Sequence, residues 1–187
     1  MMRLTSLDLS LTLCGTTSNI VLTIHLSGHQ KPCAKKQEIV SKANLQIALL
    51  RKTGIPAGYG VYLVRKEILK PILPPDIYQM VNQPTVHVFT KLFIQNRWVS
   101  LDATVDLEMF QCFYSSSGTW THNCWNRQSD ISLDKGFVVE DQGVYANIDL
   151  YLSQVPKFWT DQLIQKANCF IEESIKNMRE GKNGKNH

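Results

Sequence analysis

The sequence predicts an α+β domain in which one central helix packs on an antiparallel sheet. Three observations lead to this fold class. A leucine-rich segment with apolar residues at helical spacing ends at a Gly and a Pro. A β-rich run follows it directly, and two further β-rich runs are joined by a short polar turn. At 187 residues the chain fits one domain that can bury a sizeable core.

The first elements alternate between strand and helix patterns. Residues 4–27 are rich in Leu, Ile, Val and Thr and are interpreted as a hairpin. Residues 29–37 are polar and basic and are interpreted as a loop that carries Cys33. Residues 38–52 are predicted as the central helix, which Gly54 and Pro56 end. Its apolar face comprises Val40, Ala43, Ile47 and Leu50, widened by Leu49.

The remaining elements follow from local composition. Residues 57–64 (AGYGVYLV) are predicted as a strand, and residues 67–80, with three prolines, as a connection. Residues 86–94 and 98–102 are predicted as the two strands of a hairpin. Residues 137–151 are mixed in pattern. Residues 159–179 are predicted as a terminal helix with an apolar side formed by Leu163, Ile164, Ala167, Phe170, Ile171 and Ile175.

The register of the predicted hairpin decides whether a histidine and a carboxylate meet. A two-residue turn at Gln95–Asn96 would place Phe89 opposite Asp102. His87 lies on the same face as Phe89, because strand side chains alternate. His87 and Asp102 would then be diagonal neighbours about 7–8 Å apart at the backbone. A three-residue loop would put them on opposite faces of the sheet.

Composition excludes several function classes. The net charge of +4 is small, and the sequence has no basic stripe interleaved with aromatics, so no nucleic-acid partner is predicted. No segment is long and apolar enough to span a membrane. The first residues make a poor signal peptide, and five cysteines without a CxxC pair predict neither a zinc site nor a disulfide framework. A cytoplasmic protein without cofactor or metal is therefore expected.

Two blocks of the sequence carry a family resemblance. LLRKTGIPAGYG resembles the helix end and following strand of transglutaminase-like proteins, and HVFTKLFIQNRWVSLDATVD resembles their hairpin. Together with FVVEDQGVYANIDLYL these blocks resemble small stand-alone bacterial-type members. The resemblance implies a papain-like core over residues 41–150, preceded by an atypical segment 1–40 and followed by a helix and basic tail 151–187. Such proteins use a Cys–His–Asp triad for acyl transfer on peptide or glutamine amides.

The resemblance assigns two of the three triad positions to suitable residues. His87 matches the base and Asp102 the group that orients it. The position of the family's cysteine, counted back from either Gly54 or Arg51, is occupied by Ile39, which has no nucleophilic atom. The sequence therefore predicts a transglutaminase-like protein that is catalytically impaired, or a pseudoenzyme, in this form. The substrate of an active form would be a peptide or protein amide, and no pattern indicates an oligomeric state.

Two alternatives to a lost nucleophile stay open. In the first, Cys33 acts instead, because the nearby Lys31, Lys35 and Lys36 favour its thiolate. The protein would then be a cysteine-dependent acyl transferase, amidase or protease, although a loop residue six positions before Ile39 is not expected to reach His87. In the second, an alternative start, a splice variant or a mistaken gene model has replaced the segment before residue 41.

Other polar residues receive ordinary structural interpretations. Cys112 and Cys124 lie in an aromatic segment and are expected to be structural, while His122 is a weaker alternative base. Asp106 and Glu140–Asp141 lack the density of a calcium loop, so they are expected to make turn and cap hydrogen bonds.

Overall fold

A computed structural model describes the chain over residues 41–120, 130, 132–154 and 159–181. All of these residues belong to one compact unit, residues 35–187. The predicted hairpin 4–27 and the loop 29–37 lie outside the described residues, as does the first part of the predicted central helix.

A four-stranded antiparallel sheet forms the centre of the described fold. In spatial order its strands are β3 (Arg97–Leu101), β2 (Thr85–Ile94), β1 (Ala57–Val64) and β4 (Val138–Tyr145). The first three agree within one residue with the strands predicted from sequence. Strand β4 comes from the segment of mixed pattern, and it pairs with β1 through a register shift between Gly60 and Tyr62.

Helix α1 (Ser41–Lys52) packs on one face of this sheet, as predicted. Ile47 is buried there together with Ala57 of β1, Leu92 of β2 and Val99 of β3. The helix ends at Gly54, whose φ of +79° is the left-handed conformation that glycine adopts without steric cost. The mixed α+β class predicted from sequence is therefore observed, with the helix covering one sheet face.

Arg51 joins the end of α1 to two strands. Its Nε donates to the Ala57 carbonyl oxygen at 2.9 Å, and its Nη2 donates to the Ala146 carbonyl oxygen at 2.8 Å. Ala57 begins β1, and Ala146 directly follows β4. A guanidinium can serve both acceptors because its donors are held in a rigid planar fork. One side chain thus ties the helix end to the two neighbouring strands.

The hairpin between β2 and β3 has the two-residue turn that the sequence analysis considered. Gln95 and Asn96 have φ values of +48° and +62°, as a type I′ turn requires. The pairing runs from Ile94 opposite Arg97 to Thr90 opposite Leu101. The predicted register is therefore confirmed, and the next pair outward would be Phe89 and Asp102.

The connection between β1 and β2 is more helical than predicted. It contains a 3₁₀ turn, Lys66–Leu69, and helix α2 (Pro75–Met80). Proline suits the first position of a helix, since its missing N–H needs no partner there and its φ is already helical. Ile77 of α2 is fully buried, so tertiary packing stabilises a helix that is too short to be recognised by periodicity.

Five further helical elements complete the described fold, one of them the 3₁₀ turn Lys135–Phe137 before β4. Helix α3 (Leu107–Met109) continues into a π-helical turn, Phe110–Tyr114, and helix α4 (Asp149–Gln154) follows β4. The terminal helix α5 (Asp161–Arg179) starts two residues later than predicted, because the Thr160 side chain caps it by accepting from the Leu163 N–H. No helix among the described residues is long and apolar enough to cross a membrane.

The cysteines differ from the sequence-based prediction. Cys169 of α5 is disulfide-bonded, whereas Cys112 is a free, half-buried thiol. The sequence analysis expected no disulfide framework and gave Cys169 no role, so it did not predict this disulfide. Cys14, Cys33 and Cys124 lie outside the described residues.

The type I′ turn between β2 and β3 leads to a prediction about the free energy of unfolding. Replacing Asn96 by Val puts a β-branched residue into a left-handed conformation, so Asn96→Val should lower the free energy of unfolding by about 1–2 kcal/mol. Asn96→Gly should preserve or raise it, because glycine adopts this conformation freely. Urea unfolding measures both. As a control, Arg97→Val in the neighbouring exposed strand position should change stability by less than about 0.5 kcal/mol. An equal loss in Asn96→Gly would contradict the argument.

Candidate active site

His87 and Asp102 form a hydrogen-bonded pair at the edge of the hairpin. The distance from His87 Nε2 to Asp102 Oδ2 is 2.6 Å. The Asp102 side chain is fully buried, and that of His87 is 14% exposed. Because a carboxylate only accepts hydrogen bonds, the His87 proton in this contact resides on Nε2. The second ring nitrogen, Nδ1, is left to accept or donate a proton in chemistry.

The buried carboxylate is satisfied at both oxygens. Asp102 Oδ1 accepts a hydrogen bond from the Thr104 backbone N–H at 2.9 Å, while Oδ2 faces His87. Full hydrogen bonding offsets the cost of removing a carboxylate from water, which would otherwise be prohibitive. Asp102 therefore has a fixed orientation, set by the turn that follows β3 as well as by the histidine.

Local sequence explains how the pair forms. The type I′ turn sets the register of β2 against β3, and side-chain alternation puts His87 on the face shared with Asp102. Strand pairing ends at Leu101, so Asp102 is free to turn its carboxylate toward the histidine and toward Thr104. The structure thus brings together the two residues that the register argument predicts as neighbours.

Two aromatic rings surround the imidazole, and the sequence analysis assigned neither of them a role. The Phe89 ring is stacked on His87 with centroids 5.5 Å apart and planes 14° apart. The Trp120 ring meets His87 edge-on, at 6.0 Å and 76°. Both aromatic side chains are buried. Strand alternation alone could have placed Phe89 beside His87, whereas Trp120 comes from a distant loop and has no comparable sequence signal.

The first turn of helix α1 reaches the segment that follows Asp102. Lys42 Nζ donates to the Thr104 carbonyl oxygen at 3.2 Å and contacts Asp106 Oδ2 at 3.3 Å. The N–H of the same Thr104 binds Asp102. A short chain of hydrogen bonds therefore links the beginning of the helix with the carboxylate of the pair.

Several predicted site residues lie outside the described residues. They are Ile39, at the expected nucleophile position, the alternative nucleophile Cys33, the alternative base His122, and Cys124. The roles suggested for these residues remain predictions. Cys112 is described, and its pKa is raised because burial disfavours the thiolate. It is therefore a poor nucleophile at neutral pH.

The acidic residues considered for cation binding have structural partners. Asp106 caps α3 by accepting from the Met109 N–H at 2.9 Å. Asp141 pairs with Lys91 at 3.1 Å and accepts from the Gly143 N–H at 2.8 Å. The hydrogen bonds to the Met109 and Gly143 N–H groups are the cap and turn interactions predicted for Asp106 and Asp141. Within the described ranges, no group of three or more His, Cys, Asp or Glu residues could hold a metal ion.

Comparison with known proteins gives one match, and it covers the hairpin and its histidine–aspartate pair. Residues 34–103 match the family model of the transglutaminase-like superfamily. The matched region contains α1, His87 and Asp102, and it includes position 39. No curated protein and no solved structure matches the chain. Residues 34–103 therefore form a region that is similar to the transglutaminase-like superfamily.

Proposed function

We propose that this protein is a papain-like, transglutaminase-type domain that retains the base and the orienting carboxylate but has lost the nucleophile. In this form it is a pseudoenzyme, or an enzyme with severely impaired acyl transfer. The observation that carries the proposal is the 2.6 Å contact between His87 Nε2 and the fully buried Asp102 carboxylate. A buried charge positioned on a histidine is the arrangement that prepares an imidazole for proton transfer.

The chemistry of such a site needs a third group. In thiol acyl transfer, Nδ1 of His87 would take the proton from a cysteine, and the thiolate would attack an amide carbonyl carbon. The C–N bond then breaks, the amine leaves with the proton from the imidazolium, and water or an amine accepts the acyl group. Ile39 offers only C–H bonds at the position where the resemblance expects the sulfur. The dyad alone can move a proton but cannot form the acyl intermediate.

The contacts of Lys42 support the assignment of position 39 to the site. Lys42 follows position 39 by three residues. Lys42 binds the carbonyl of Thr104, whose N–H binds Asp102. The first turn of the helix is thus tethered close to the dyad, which is where a nucleophile at the helix N-terminus would be needed. A peptide or protein amide is the ligand class that such a cleft would bind.

Relocation of the nucleophile is the second candidate. Cys33 has Lys31, Lys35 and Lys36 close in sequence, and these cations would favour its thiolate. If Cys33 reached Nδ1 of His87, the protein would be an active acyl transferase, amidase or protease. The two candidates differ in one measurable property, which is the presence of a cysteine whose reactivity depends on His87.

Site-resolved alkylation of the native protein at pH 6, read by mass spectrometry, tests the proposal. The free cysteines should all react slowly, and His87→Ala should leave their rates unchanged. Cys112 is an internal reference for a slow thiol, because burial raises its pKa and little thiolate forms below that pKa. His187→Ala is the control for removing a histidine. One cysteine that labels much faster, and that slows in His87→Ala alone, would overturn the proposal in favour of a relocated nucleophile.

A constructive variant tests whether the rest of the site is intact. Ile39→Cys should create a thiol whose pKa lies below the ordinary value of about 8.5, because an adjacent histidine and a helix N-terminus stabilise the thiolate. The pH dependence of its alkylation rate gives the pKa. The effect should disappear in Ile39→Cys with His87→Ala. Val40→Cys is the matched control and should titrate normally. An ordinary pKa for Ile39→Cys would contradict the placement of position 39 beside the dyad.

A further inference from the structure

The imidazole of His87 contacts aromatic rings in addition to its hydrogen bond with Asp102. The Phe89 ring lies nearly parallel to it at a centroid distance of 5.5 Å, and the Trp120 ring abuts it edge-on at 6.0 Å. Phe89 is 1% exposed and Trp120 is 8% exposed. The ring of the base thus packs against two buried aromatic rings, one from its own strand and one from a distant loop.

The absence of a side chain at Gly60 leaves room for the Phe89 ring. The two residues are directly opposite each other in the pairing of β1 with β2. A Cβ atom added at Gly60 would lie 2.6 Å from Phe89 Cζ and 2.7 Å from Phe89 Cε2. Carbon atoms do not approach so closely, since optimal contact is at about 3.5–4.0 Å. The Phe89 ring therefore occupies the space that any side chain at position 60 would need.

The Phe89 ring has little room to retreat from such a side chain. Tyr62 packs against it with centroids 4.5 Å apart, and Lys91 Nζ lies 5.8 Å from its centroid. Lys91 is itself held by Asp141 at 3.1 Å. With these neighbours in place, a displacement of the Phe89 ring is transmitted to the imidazole stacked on it.

We propose that Gly60 and Phe89 are positioning residues of the His87–Asp102 pair. Gly60 leaves the space for the Phe89 ring, and the Phe89 ring, with Trp120, sets the plane of the imidazole so that Nε2 points at Asp102 Oδ2. The inference rests on the proposed function, since that function gives the pair its role. It concerns the orientation of the ring, so it does not depend on whether a thiol is present at position 39.

The neighbouring aromatic rings hold the imidazole plane in an orientation that a single hydrogen bond would not fix. Rotation about the bond between Cβ and a histidine ring has broad, shallow preferences, so one hydrogen bond leaves the ring plane loosely defined. A hydrogen bond weakens steeply when its angle departs from linearity, and a tilted imidazole would lose alignment with Asp102. Aromatic walls restrict the tilt and exclude water that would compete for the Nε2 proton.

The test is NMR of the full-length protein, observing the proton on His87 Nε2 and the tautomer of its neutral ring. The signal is assigned by its absence in His87→Gln. The unmodified protein should show a protected Nε2–H with Nδ1 unprotonated. In Gly60→Ala and in Phe89→Leu the proton should exchange with water a few-fold to about tenfold faster, and the preference for this tautomer should weaken.

Two matched controls separate positioning from a general loss of stability. Gly58→Ala lies on the same strand, and its added Cβ would crowd Val144 Cγ1 at 2.8 Å and the Tyr145 carbonyl oxygen at 2.9 Å, not Phe89. Phe93→Leu removes an aromatic ring from β2 that packs on Trp98. Both should keep the protected Nε2–H even though they lower the unfolding midpoint.

Three outcomes would overturn the inference. The first is an unchanged Nε2–H in Gly60→Ala and Phe89→Leu, and the second is an equal loss in the controls. The third is the absence of a protected Nε2–H in the unmodified protein. If Gly60→Ala does not fold, Phe89→Leu decides. A fast, His87-dependent cysteine would refute the proposed loss of the nucleophile and leave this result standing, so the two failures are distinguishable.

Discussion

The register of the β2–β3 hairpin is the constraint on which the candidate site depends. Two consecutive left-handed residues, Gln95 and Asn96, close the turn without an extra residue. A slip of one position would send every side chain of one strand to the opposite face of the sheet. The 2.6 Å contact between His87 and Asp102 is possible in this register only, because both side chains must share a face. A turn more than five residues from each of them therefore determines whether the base has its carboxylate.

The two faces of the sheet pack against different parts of the fold. One face is covered by α1 and forms an apolar core around Ile47 and Leu92. The other carries His87 and Phe89, together with the buried cluster that includes Trp120 and Tyr114. Arg51 and Lys42 fasten the two ends of α1, the former to β1 and the segment after β4, the latter to the turn beyond Asp102. Stability and site geometry thus share the same scaffold.

Both members of the His87–Asp102 pair also have structural roles. Asp102 is fully buried and satisfies the Thr104 N–H, and removing it would leave buried donors without partners. His87 fills the space between Phe89 and Trp120. Packing and hydrogen bonding therefore hold His87 and Asp102 in place whatever residue accompanies them.

The sequence by itself determined the features that depend on local patterns. Helical periodicity and the Gly54 stop located α1, and strand alternation with a short polar turn located the hairpin and paired His87 with Asp102. These features depend on residues that are close together in sequence, so residue propensity and spacing are enough to predict them. The family resemblance added the expectation of a cysteine at position 39, where the sequence has an isoleucine.

Tertiary structure alone decided the features that need distant segments. Helix α2 is too short for periodicity and forms because Ile77 is buried. Strand β4, which begins at Val138, pairs with β1, which ends at Val64, and Cys169 forms a disulfide although no disulfide framework was expected. Trp120 reaches His87 from a loop far along the chain, and the lack of a side chain at Gly60 matters only because the Phe89 ring fills that space. Each of these depends on long-range packing, which no local pattern encodes.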